Sequence, residues 1–120
     1  MRQMKRELAH RDIERNLRPY RRAAKIHRPP EGWLRAIRQA LGLNAGQLAG
    51  YLKLTPKMIF QLERSEQRNT ITLQRLEAAA RAMQCELVYA IVPYDRSIED
   101  RAEEVAHQNL WRKRNSVKGW

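Results

Sequence analysis

The chain has 120 residues, enough for one sizeable core and short for two, and a formal charge of +11 from 24 Lys and Arg against 13 Asp and Glu. Its single cysteine, Cys85, excludes an internal disulfide. No Cys or His pair has zinc spacing, no apolar run approaches a bilayer span, and the N-terminus lacks a secretory apolar stretch. These features predict a cytoplasmic protein without metal or cofactor, folded as one compact domain with flanking arms.

The charge is unevenly spread. Residues 1–30 carry ten basic and three acidic groups, residues 31–83 eight and four, and residues 84–120 six of each. The positive field over the first two-thirds favours nucleic acid, although basic surfaces also attract anionic membranes and acidic proteins.

In chain order, the first segment is helical. Ala9, Ile13, Leu17, Tyr20 and Ala24 share one stripe, Met4 and Leu8 lie opposite it, and Pro19 is expected to bend or split the helix. It is expected as a solvated helix clamped on the core. The stiff connector Arg28-Pro29-Pro30-Glu31-Gly32 ends this arm. A helix face follows at Trp33, Leu34, Ile37, Ala40 and Leu41, with Arg35 and Arg38 expected to point away, and Gly42 stops it. Asn44 caps a short helix buried through Leu48, Ala49 and Leu52. Thr55 caps the next, with Pro56 in its first turn, and Thr72 caps another carrying Leu73, Leu76, Ala79, Ala80 and Met83.

From Cys85 to Val92 the period changes to 2 and β-branched and aromatic residues dominate, which predicts a strand ending at Pro93. A lone strand cannot satisfy its backbone groups, so the same strand of a second copy is its simplest partner, with Leu87, Val88, Tyr89, Ala90 and Ile91 as dimerisation residues. Ser97 opens a last helix, acidic at its start and basic at its end, an order that suits the helix dipole.

Gly42 to Glu63 carries the functional pattern. The helix begun at Thr55 buries Ile59 and Leu62 and presents Lys57, Phe60, Gln61 and Arg64 on its other side. Lys57 suits guanine O6 and N7, and Gln61 suits adenine N6 and N7. Thr55, beside Pro56, and Phe60 suit a thymine methyl. Asn44, Gln47, Arg64 and Arg68 suit phosphates, which position the protein without specifying sequence.

The buried framework Leu43, Leu48, Ala49, Leu52, Leu54, Ile59, Leu62 and Glu63 resembles the helix-turn-helix of the Xre family of phage-type repressors. Ala45 and Lys53 depart from that pattern, where glutamine and glycine are usual, and Lys53 implies a strained or slightly altered turn. Residues 28–42, Thr70-Ile71-Thr72-Leu73 and 85–93 also resemble the family called mobile mystery protein A, which implies a regulator or antitoxin of an operon shared with a Fic-domain partner.

The fold expected is mainly α: a five-helix phage-repressor-like helix-turn-helix domain with an N-terminal helical arm, one C-terminal β-strand paired across a dimer, and a C-terminal helix. Its parts are the basic arm and connector (1–30), the DNA-binding domain (31–83), and the dimerisation strand with the last helix (84–120). The function expected is a homodimeric, sequence-specific transcriptional repressor binding an inverted repeat of double-stranded DNA, with no membrane association. The alternative is an antitoxin that neutralises a toxin by direct contact through the basic arm and the last helix with Trp111 and Trp120. An enzyme is not expected: His10, His27 and His107 are scattered and expected to be solvated, and no nucleophile–base pair or phosphate-cradling loop is present. Cys85 and Trp33 are expected to be packed residues.

Overall fold

The structure, a computed structural model, describes residues 2–116, with side chains from 4 to 114. The described residues form six helices: α1 (Arg2–Ala23), α2 (Trp33–Ala40), α3 (Ala45–Leu52), α4 (Pro56–Gln67), α5 (Leu73–Ala82) and α6 (Ile98–Ser116). They fall into two compact units, residues 27–89 and residues 1–26 with 90–120, where one core with arms was expected. The first unit holds four helices rather than five.

In residues 27–89 the four helices close over Leu34, Ala45, Leu48, Ala49, Ile59, Ala79 and Met83, with Leu43, Leu52, Leu62, Leu76 and Cys85 partly buried against them. Ile59 is fully buried, which contributes about 1.5–3 kcal/mol. Ala49 is buried in α3, which packs against α4, and its small side chain permits their close approach.

The caps follow the sequence. Asn44 and Gln47 form a reciprocal capping box, each side-chain oxygen accepting from the other residue's backbone N–H at 2.8 Å. Thr55 Oγ1 accepts from Met58 N–H and Thr72 Oγ1 from Arg75 N–H, both at 3.2 Å. All four helices also end alike. After α2, Gly42 N–H donates to Gln39 O and Leu43 N–H to Arg38 O, around Gly42 at φ 72°. Lys53, Asn69 and Gln84 occupy the same left-handed position after α3, α4 and α5, with φ 56°, 59° and 57°. The turn at Lys53 is therefore made without glycine and carries the Cβ strain of that conformation.

Several expectations are corrected. Arg38 does not point away from the α2 face; it is buried and paired with Glu63. Trp33 is 48% exposed and Leu73 52%, so neither belongs to the core, and Leu41 and Leu54 also reach solvent. Both Trp33 and Leu73 stand at the first position of their helices, where the period-3.6 pattern places a side chain at the edge of the buried stripe. No strand exists among the described residues: residues 86–92 make no backbone hydrogen bond to any described backbone group, and a ladder of such bonds is what defines a strand. Val88, Tyr89 and Ile91 are 62%, 68% and 90% exposed.

In the other unit α1 packs against α6. α1 runs through Pro19 to Ala23 without a break, although Pro19 supplies no backbone donor there. Its apolar stripe is half-buried, with Leu17 and Tyr20 shielded and Ile13 exposed. Glu14 ties the pair together: its carboxylate accepts from Arg21 Nε and Nη2 at 2.8 Å and from Ile98 N–H at 3.0 Å. Those bonds, the Ile98 N–H first, hold the Glu14 carboxyl below its ordinary range. Ser97 Oγ caps α6 by accepting from Asp100 N–H, with Glu99 and Asp100 in the first turn and Lys113 and Arg114 in the last. His10 is only partly exposed, and its Nδ1 is shielded with no hydrogen-bond partner, which corrects its expected solvation; His27 and His107 are exposed. Among the described residues no helix is long and apolar enough to cross a membrane.

Candidate nucleic-acid interface

The expected contact residues converge on α4 and the start of α3. Thr55, Pro56, Lys57, Phe60, Gln61, Arg64 and Arg68 are all exposed. At about 100° per residue, Lys57, Gln61, Arg64 and Arg68 share the side opposite Ile59, Glu63 and Glu66. Phe60, 50% exposed, lies at the edge of that side. Gln61 also borders an apolar groove with Leu52, Leu54, Met58 and Leu62. Asn44 and Gln47 are exposed at the N-terminus of α3; their oxygens serve the capping box, which leaves their amide NH2 groups as donors for an anion.

The buried side of α4 explains why its outer side is purely cationic. α4 contains two carboxylates, and both turn inward. Glu63 accepts from Arg38 Nη2 at 2.8 Å and from Nε at 3.2 Å, and Arg38 Nη1 donates to Leu43 O at 3.1 Å. Arg38 and Glu63 side chains are only 8% and 4% exposed, so this pair joins α2 to α4 in low dielectric. Glu66 supplies the N-terminal cap that α2 lacks: its carboxylate accepts from Trp33 N–H at 2.9 Å and Leu34 N–H at 2.8 Å.

Glycine at position 32 permits that cap. With φ 86° and ψ 160°, Gly32 occupies a region closed to other residues, and a Cβ there would lie 2.8 Å from Glu66 Oε1. Arg28 closes the same C-terminal end of α4 by donating to Glu66 O at 2.6 Å, Gln67 O at 3.3 Å and Asn69 Oδ1 at 3.0 Å, a cation at a helix C-terminus. Gln67 Nε2 donates to Glu31 O at 2.9 Å. The connector before α2 is thus bolted to the end of α4.

These positioning residues, Arg38, Glu66 and Arg28, escaped the sequence reading. A buried Glu63 in the framework demands a cation, and that demand was the available signal for Arg38. Nothing in the sequence signalled Glu66 or Arg28. Trp111 is 67% exposed on α6, and Trp120 lies outside the described residues.

Residues 34–89 match the family model for the helix-turn-helix, so this segment carries that domain, in agreement with the Xre-type pattern. The resemblance to mobile mystery protein A gains no support from this match. Neither the curated proteins nor the solved structures give a match.

Proposed function

We propose that the helix-turn-helix of residues 34–89 makes this chain a sequence-specific DNA-binding transcriptional repressor, with α4 as the helix that enters the major groove. One observation carries the reading. Both carboxylates of α4 are engaged inside the fold, leaving Lys57, Arg64 and Arg68 exposed around Gln61 and Phe60 with no acidic neighbour on the helix. Lys57 and Gln61 meet base edges, Phe60, Thr55 and Pro56 line the groove, and Arg64, Arg68, Asn44 and Gln47 hold phosphates.

The protein acts as a homodimer on an inverted repeat, its half-sites one helical turn or a multiple apart. Residues 86–93 support this: their backbone groups make no hydrogen bond to any described backbone group, and Val88, Tyr89 and Ile91 are exposed. Antiparallel pairing of Leu87 to Ile91 with a second copy satisfies both. The resemblance of residues 28–93 to mobile mystery protein A supports control of an operon shared with a Fic-domain protein. Its direct neutralisation as a toxin is the second reading, favoured by the exposed Leu110 and Trp111 on α6.

Gel-shift titration at fixed salt tests the first reading. The upstream palindrome is expected to bind more tightly than a scrambled duplex, and Lys57→Ala and Gln61→Ala each to erode that preference by about 1–3 kcal/mol. Equal affinity for both duplexes refutes it. Sedimentation equilibrium tests the dimer: Ile91→Asp with Tyr89→Asp is expected to yield monomers.

A further inference from the structure

We infer that α1 carries a second, sequence-independent DNA surface, in which Arg11, Arg15, Arg18 and Arg22 grip the phosphate backbone. The inference rests on the DNA-binding reading of α4 but concerns a different helix in a different unit. Spacings of four, three and four residues place the four arginines in one row along the helix, about 16 Å long at about 1.5 Å per residue. All four are exposed, and none of their side chains makes a hydrogen bond or ion pair with a described residue.

The carboxylates of α1 form no ion pair with the row. Glu14 is engaged by Arg21 and Ile98 N–H, and Arg18 acts on it only through space. Glu7 and Asp12 pair with none of the four. Like charges at these spacings oppose helix formation, so the row acts against the element that bears it until an anion arrives.

The side chains and the row's length identify the anion. Guanidinium groups bind phosphate in a bidentate way that ammonium groups cannot, and every member of the row is arginine. Duplex DNA offers about one charge per 1.7 Å of axis, so a row of this length meets more than enough phosphates for four contacts. Tethering to the helix-turn-helix raises the effective concentration of DNA at α1, so weak contacts there add to the overall affinity.

The test uses the full chain with Arg11→Gln, Arg15→Gln, Arg18→Gln and Arg22→Gln combined, and circular dichroism to verify that helix content is kept. Binding to the palindrome and to a scrambled duplex is measured between 50 and 300 mM NaCl. Loss of four phosphate contacts is expected to flatten the slope of log K against log salt by about 3–4 on both duplexes, at about 0.9 per contact. The palindrome-to-scrambled ratio is expected to stay unchanged, and the four Arg→Lys changes to retain most of the slope. An unchanged slope overturns the inference and leaves the row to an acidic protein or to solvent; so does an affinity loss without a slope change. If the wild-type chain shows no sequence preference yet the Gln variant flattens the slope, the base-reading role of α4 fails and the α1 surface stands.

Discussion

Glu63→Ala should be among the most damaging single substitutions in residues 27–89. It removes both acceptor oxygens from Arg38 Nε and Nη2, leaving the guanidinium with Leu43 O alone. At 8% exposure the Arg38 side chain has little water to replace them. Removing one partner of a buried pair costs about 3–5 kcal/mol. Against a total of about 5–15 kcal/mol this is a large share, and it lowers Tm by about 12–40 °C at roughly 4–8 °C per kcal/mol. Thermal and urea unfolding followed by circular dichroism read the loss. Arg38→Met combined with Glu63→Leu removes both charges and is expected to recover to within about 1 kcal/mol of the parent, since apolar replacement of a whole buried pair is often neutral. A loss below about 1 kcal/mol for Glu63→Ala, or a double variant no more stable than the single, would refute the role given to the pair.

Lys53→Gly relieves the left-handed turn between α3 and α4 and should add up to about 1 kcal/mol of stability, after the larger entropy loss of glycine is subtracted; a lowered Tm contradicts the strain argument. Gly32→Ala meets a forbidden backbone region and the Glu66 carboxylate together, and should cost at least about 2 kcal/mol, measured by urea unfolding. Glu14 has a folded-state pKa below its ordinary 4.5, so its contribution is fully present above that value and is lost as pH falls through the lowered one. An acid titration of helix content should therefore show α1 and α6 loosening below about pH 4.5, a component that Glu14→Gln abolishes. Persistence of that component in the variant assigns it to other carboxylates.

The four-helix unit was legible because its signals are local. Asn44, Thr55 and Thr72 announce helix starts by their own chemistry, Gly42 a stop, and Ile59 the inward side of α4. The misreadings concern relations between distant residues. Arg38 has the pattern of a surface residue until Glu63, 25 positions on, draws it inward. Residues 85–92 have the composition of a strand, but composition supplies no partner. The closing turn at Gln84 was hidden because that residue does not advertise a left-handed conformation, whereas the strain at Lys53 was signalled by its place where glycine is usual. The candidate contacts on α4 were found by the same periodicity as its core, whereas the groups that hold its C-terminal half were not.

On α4 the outward side chains of Lys57, Phe60, Gln61 and Arg64 make no hydrogen bond or ion pair with a described residue, while Glu63 and Glu66 on the same turns carry the tertiary bonds. Heredity can therefore edit one set of positions without disturbing the other. A lineage could drift from one operator to another by exchanging four outward residues on an unaltered scaffold, and divergence among descendants of this gene should concentrate there, while Arg38, Glu63, Glu66 and Gly32 change rarely or together.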